Sequence, residues 1–146
     1  MARFRYRMQN ILNVKEKLES QARNEFAIAA AVVNEEEAKL QELIRRREGY
    51  EKEVRRLSES TLDINALREN QNNIEVMKYL ISEQRQRLQM ANKQLEIARQ
   101  KLTTAMQDRK THEKLKEKEF EIFKAEEAQK ESKEIDELVS FRHGDN

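Results

Sequence analysis

The chain has 146 residues, a length that suits one domain, but 39% of them are charged and only 37% are hydrophobic. A compact globule of this size needs more apolar side chains to fill its core. The composition therefore fits either a disordered chain or helices that share a narrow apolar seam. The net charge of +1 gives no general attraction to nucleic acid or anionic lipid, and the absence of cysteine excludes disulfides and thiolate metal sites.

The residue types favour the helical option. The chain has no proline and two glycines, and its commonest residues are strong helix formers. The longest apolar run, Phe26 to Val33, is far shorter than the roughly 20 residues that a bilayer-spanning helix needs. The basic N-terminus is not followed by the apolar region of a signal peptide. We therefore expect a soluble, cytoplasmic protein that is not exported.

A first helix is predicted over about residues 3–57, because apolar side chains recur there at alternating spacings of three and four. The steps of four at Leu18, Ala22 and Phe26 predict a stutter, which offsets two sets of seam residues by one position. Gly49 lies inside this predicted helix, where glycine is unfavourable. Either the partner helix approaches closely there, or the helix simply tolerates the glycine. The first set is Phe4, Met8, Ile11, Leu18 and Ala22, and the second is Phe26, Ala29, Val33, Leu40, Leu43, Tyr50, Val54 and Leu57.

A turn is predicted over about residues 58–63, where Ser58, Ser60 and Thr61 can bond backbone groups and the seam lapses. Asp63 is a good N-cap for a second helix that enters at Ile64. Residues 70–73 (NQNN) are the alternative turn, since their three asparagines weaken a helix.

A second helix is predicted over about residues 64–140. Its seam repeats close to every seven residues, and small alanines on the companion positions allow close packing. The large residues are Ile64, Leu67, Ile74, Ile81, Leu88, Leu95 and Leu102, and the alanines are Ala91, Ala98 and Ala105. The predicted fold is therefore all-α, a single domain over residues 1–146 in which two long helices form an antiparallel coiled-coil hairpin.

An early turn leaves the end of the second helix without a partner helix. Phe120, Ile122 and Phe123 would then be uncovered, and exposed apolar clusters of this kind mark interaction sites. With a later turn the chain ends would align and bury these residues against Phe4 and Tyr6. In either case four of the five phenylalanines gather where the termini meet, and the arginines of residues 1–8 face an acidic C-terminal region.

No catalytic, cofactor or metal site is predicted. Gly49 and Gly144 are isolated, so there is no glycine-rich phosphate loop. His112 and His143 lie far apart, and neither has a carboxylate or histidine four residues later that would form a metal face. Arg45–Arg47 with Arg55 and Arg56 could hold phosphates of RNA, but interleaved glutamates nearly cancel their field and no aromatic run offers a stacking surface.

The two ends of the chain resemble the flagellar export protein FliJ family. The opening stretch FRYRMQNILNVKE, from Phe4 to Glu16, is similar to the family's aromatic and basic start followed by a leucine pair and a Lys-Glu run. The stretch from Lys114 to Phe123, followed by KEIDEL at Lys133 to Leu138, is similar to its closing pattern. Length, lack of cysteine and hairpin form agree over the whole chain, whereas residues 58–73 match only loosely.

The resemblance implies a non-enzymatic, stalk-like component of the bacterial flagellar type III export apparatus. Such proteins insert into the export ATPase ring, promote its assembly and activity, and link it to the cytoplasmic domain of the export gate and to export chaperones. The implied location is cytoplasmic, peripheral at the inner face of the cell membrane through these partners. The candidate partner-binding residues are Phe4, Tyr6, Met8, Ile11, Leu12, Phe120, Ile122, Phe123, Ile135, Leu138 and Val139.

Three alternatives remain open at this point. The chain could be a structural coiled-coil spacer that dimerises through its uncovered helix end. It could be the equivalent stalk of a virulence type III secretion system. An RNA-binding helical arm is the third, and it would lose affinity steeply with salt.

Overall fold

Two long helices make up nearly all of the computed structural model, which describes residues 2–59 and 63–144. Helix α1 spans Gln9–Glu59 and helix α2 spans Ile64–Gly144. The helices pack against each other as an antiparallel hairpin, and no strand occurs in the described ranges. The predicted all-α hairpin is confirmed. Neither described helix combines the length and apolarity that crossing a bilayer requires.

Helix α1 begins at Gln9, several residues after the start predicted near residue 3. Met8 ends the non-helical segment, since its carbonyl accepts the Leu12 N–H at 3.1 Å. Before it, Phe4 and Tyr6 are at least partly buried whereas Arg3 and Arg5 are exposed. This alternation has the period of an extended chain, so packing of every second side chain overrides helix propensity here.

Asp63 is the N-cap of α2, as predicted. Its side-chain Oδ1 accepts the Ala66 N–H at 3.2 Å, and its carbonyl accepts the Leu67 N–H at 3.0 Å. Ser58 and Glu59 are the last residues of α1, and residues 60–62 of the predicted turn lie outside the described residues. The alternative turn at 70–73 is wrong, because those residues lie inside α2. The Asn70 amide instead donates to the Ala66 carbonyl at 2.9 Å within the helix.

The contacts divide the chain into two compact units. Met1–Gln21 and Leu102–Asn146 form one, which we call the terminal unit, and Ala22–Lys101 forms the other, the central unit. The single domain over residues 1–146 therefore stays a prediction.

The buried stripe of α1 follows one unbroken heptad pattern, so the predicted stutter is wrong. Leu18, assigned to the seam, is 45% exposed, whereas the neighbouring Glu19 is only 7% exposed. Met8 and Ile11 are likewise exposed. In the first turns, the apolar residues alone predict a seam that is shifted by one residue from the observed one. The reason is that two of the observed seam positions, Lys15 and Glu19, carry charges. The stripe runs through Leu12, Lys15, Glu19, Ala22, Phe26, Ala29, Val33, Glu36 and Leu40.

In the terminal unit the charged seam positions have partners on α2. The Nε of Arg109 donates to the buried Glu19 carboxylate, and its Nη1 donates to Glu113 at 2.8 Å. The bonds to Glu113 and then to Glu19 raise the pKa of the Arg109 guanidinium. Lys15 Nζ lies 3.7 Å from the Asp108 carboxylate. These pairs favour one pairing of the turns of α1 and α2, since a slip would break the bond between Arg109 and the buried Glu19.

In the central unit the predicted α2 repeat is largely confirmed. Ile81 is the most buried side chain, at 2% exposure, and Ala91 and Ala98 are buried, whereas Ile64 at the helix start is exposed. Half-buried leucines continue the stripe at Leu67, Leu88 and Leu95.

A polar layer interrupts this apolar seam. The buried Gln84 amide donates to the Glu36 carbonyl at 3.1 Å and also to the Glu36 carboxylate. The bond from Gln84, followed by the charges of Lys39 and Arg87, lowers the pKa of Glu36. Arg99 lies over the Phe26 ring, 5.9 Å from its centroid. These two contacts, Glu36 with Gln84 and Phe26 with Arg99, again set a specific α1 residue against a specific α2 residue.

Gly49 faces open space, so the predicted close approach of a partner helix is wrong. A methyl group built on Gly49 would meet nothing within 4 Å. We expect Gly49→Ala to raise the free energy of unfolding by about 0.5–1 kcal/mol, because alanine loses less backbone entropy in a helix. Chemical denaturation followed by circular dichroism measures it. Gly144→Ala, equally unhindered but at the last residue of α2, is the control and should change little.

Loss of Arg109 should destabilise the protein more than loss of the whole ion pair. Arg109→Leu removes the cation that α2 gives to the buried Glu19 carboxylate, whereas Glu19→Leu with Arg109→Leu replaces both charges by apolar side chains. We expect the single variant to melt at a clearly lower temperature than the double variant. Equal melting temperatures would show that Glu19 does not depend on Arg109.

Candidate partner-binding site

An aromatic cluster joins the N-terminal segment to α2 within the terminal unit. The Phe4 ring lies 5.0 Å from the Phe120 ring in an edge-to-face arrangement, and 5.4 Å from the Phe123 ring. Aromatic pairs of this geometry add about 0.5–1.5 kcal/mol beyond the apolar area they bury. The cluster therefore anchors a segment that has no helix to hold it.

Phe120 and Phe123 are only partly uncovered, because Phe4 of the N-terminal segment packs against both rings. A non-helical segment advances up to about 3.3 Å per residue against 1.5 Å in a helix, so Phe4 reaches further along α2 than a helical start would allow. The later turn that would also have covered them does not occur, because α1 continues to Glu59 and α2 begins at Ile64. Ile122 points away from this contact and is exposed.

The outer edge of the cluster remains available. Phe120 is 38% exposed despite its contact with Phe4. Lys124 Nζ lies 5.1 Å from the centroid of the Phe120 ring, a cation–π distance. A partner that buries this ring would meet an apolar face bordered by a positive charge.

The structure separates the predicted site residues into three groups. Tyr6 and Leu12 are buried, so they support the surface from below. The second group has exposed or half-exposed side chains on the N-terminal segment, the start of α1 and α2, and it comprises Phe4, Met8, Ile11, Phe120, Ile122 and Phe123. Ile135, Leu138 and Val139 form the third group, on a stretch of α2 where every residue from 128 to 144 is exposed. From Phe123 to Ile135 the helix advances about 18 Å, so this apolar face is distinct from the cluster.

Charged side chains of both signs surround the cluster. Arg3, Arg5 and Lys116 line an open cavity on one side of Phe4. A neighbouring cavity is lined by Glu16, Glu113 and Glu117 together with Phe4 and Phe120. Sequence reasoning did not select Lys116 or these glutamates. Whether these residues lie at the site depends on where the N-terminal segment docks. The one sequence signal for Lys116 is that it lies four residues before Phe120, on the same face of α2.

The chemistry available here is binding. Among the residues that the structure describes, no group of three or more His, Asp or Glu side chains could hold a metal ion. His112 is half-buried on α2, and its Nδ1 has no hydrogen-bond partner in the described part of the chain. The pKa shifts along the seam belong to Glu36 and Arg109, whose hydrogen bonds hold them in their charged forms. A carboxylate or guanidinium held charged in this way is suited to fixing the register between α1 and α2.

The comparisons with known proteins agree with the family resemblance of the two ends of the chain. The family model described as flagellar FliJ protein matches residues 4–146. No curated protein sequence matches the chain. A solved structure of a YscO homologue, CT670 from Chlamydia trachomatis, is similar with a TM-score of 0.63 and 22% identity, covering 97% of this chain and 96% of that one. At this identity the likeness concerns the fold.

Phe4 should contribute more to stability than its position near the terminus suggests. Phe4→Ala removes both ring contacts, and we expect the free energy of unfolding to fall by about 1–3 kcal/mol. Denaturant unfolding is the measurement. Phe141→Ala is the matched control, since Phe141 is 69% exposed and its removal should stay within about 0.5 kcal/mol. Equal effects of the two substitutions would contradict a structural role for the aromatic cluster.

Proposed function

The chain belongs to the flagellar FliJ family, and from this membership we propose that it is the stalk-like component that inserts into the ring of the flagellar export ATPase and promotes its assembly and activity. The coarser assignment is firm: the family places the chain among components of the type III export apparatus, and its members are structural components rather than enzymes. The flagellar family match favours the flagellar system over a virulence secretion system.

The observation that carries the proposal is the aromatic cluster of Phe4, Phe120 and Phe123. It brings the two ends of the chain into one surface, which keeps part of an aromatic ring exposed. Aromatic side chains at the centre of an interface often supply most of its binding free energy. The charges around the cluster would give weak, exchangeable contacts to successive ring subunits, because exposed ion pairs contribute only about 0–1 kcal/mol each.

The exposed face of Ile135, Leu138 and Val139 supports a second contact. It lies beyond the cluster on α2 and is bordered by acidic and basic residues of the KEIDEL stretch. A ring that encloses the cluster would leave such a face free for another component. We assign the cytoplasmic domain of the export gate and the export chaperones to the remaining surfaces, which places the protein at the inner face of the membrane through its partners.

The test is stimulation of the purified flagellar export ATPase by the full chain. We expect the unmodified protein to increase ATP hydrolysis, and Phe120→Ala with Phe123→Ala to need at least tenfold more protein for the same effect, because two interface aromatics are lost. Met90→Ala, an exposed apolar residue of the central unit, is the control and should act as the unmodified protein does. Circular dichroism checks that both variants remain helical.

Failure of the unmodified protein to bind or stimulate the ATPase would defeat the proposal. Stimulation that survives loss of both phenylalanines would retain the partner but move the contact away from the aromatic cluster.

A further inference from the structure

We propose that the N-terminal segment and α2 form a binding site for a phosphate group, built from Arg3, Arg5 and Lys116. These residues, with Phe4, Tyr6 and Gln9, line an open cavity of about 450 Å³ in the terminal unit. Nothing in the hairpin or in the proposed ATPase contact requires a small anion here, so this site is additional.

The argument for the site is the charge that the fold gathers without neutralising it. Phe4 and Tyr6 turn toward the protein, so the alternate residues Arg3 and Arg5 come to lie on the other side of the segment. Docking of the segment brings both beside Lys116 of α2. Within residues 2–59 and 63–144, none of these three cations forms an ion pair, although acidic side chains are abundant.

The set of donors fits a phosphate better than a carboxylate. Two guanidinium groups and one ammonium group offer several N–H donors, all of them positively charged. A phosphate carries up to two negative charges and accepts on three or four oxygens, whereas a carboxylate has one charge and two oxygens. Arginine also matches the geometry of phosphate through paired N–H groups.

Three glutamates lie near the proposed site but line a different cavity. Glu16, Glu113 and Glu117 line the adjoining cavity across Phe4 and Lys116, and Glu113 is already bonded to Arg109. They oppose binding of an anion at long range, so we expect a weak site whose occupancy falls with salt. They do not lie along the cavity of Arg3 and Arg5.

The experiment is calorimetric titration of the full chain with sodium phosphate near pH 7.5 at constant ionic strength. We expect one phosphate per chain, and about tenfold weaker binding for Arg5→Gln and for Lys116→Gln, since each loses a charge-assisted hydrogen bond. Arg7→Gln is the matched control, because Arg7 is exposed on the same segment but does not line the cavity. It should bind phosphate as the unmodified chain does.

Sodium acetate is titrated in parallel, and acetate that binds as tightly as phosphate would overturn the assignment of the ligand. Absence of phosphate binding, or equal losses in Arg7→Gln and Arg5→Gln, would overturn the site itself, since the second result describes a diffuse basic patch.

Two further probes identify the source of the phosphate group. ADP tests a nucleotide, and vesicles of phosphatidylglycerol, with phosphatidylcholine as the control, test an anionic lipid headgroup. The source is whichever phosphate-bearing probe binds most tightly and loses that binding in Arg5→Gln.

Discussion

A carboxylate buried between two helices has to meet a cation, and this requirement determines how the terminal unit is built. The side chain of Glu19 occupies a seam position where an apolar residue would be expected, and Arg109 of the opposite helix pairs with it. A slip of one turn would separate the two and break a hydrogen-bonded ion pair at a largely buried position. Lys15 with Asp108 repeats the same constraint one turn away.

That register decides what the N-terminal segment can reach. With Glu19 set against Arg109, the chain before Gln9 runs along α2 toward Phe120 and Phe123. The segment gains contact by leaving the helical conformation, since an extended stretch covers more of α2 per residue and turns every second side chain inward. The aromatic surface is thus a consequence of a polar pair placed several turns away.

Much of this fold could be predicted from the sequence because its signals are local. The leucine repeat of α2 and the Asp63 cap each depend on residues close in the chain, and both appear in the structure. The choice of Glu19 over Leu18 could not be predicted in this way. Hydrophobic periodicity prefers the leucine, and the bond that Arg109 of the opposite helix makes to the glutamate is not visible in the local pattern.

The candidate site was predicted in part for the same reason. Phe4, Phe120 and Phe123 stand out as aromatic residues at the two ends, and a hairpin must bring the ends together. Lys116 and the acidic residues around it do not stand out, since a charged residue on a charged helix carries no signal until its neighbours are known. Tyr6 and Leu12 resemble surface candidates in sequence but are buried, Tyr6 on the N-terminal segment and Leu12 in the seam of α1.

The same docking couples the two surfaces of the terminal unit. Phe4 holds the segment through its ring contacts, and the adjacent Arg3 and Arg5 take their positions beside Lys116 from that anchor. A partner that buries the exposed edge of Phe120 while Phe4 stays in place would hold the arginines where an anion can meet them. A partner that displaces Phe4 would disperse them. Because such coupling is reciprocal, an anion bound at Arg3 and Arg5 would favour the first kind of partner and oppose the second to the same extent.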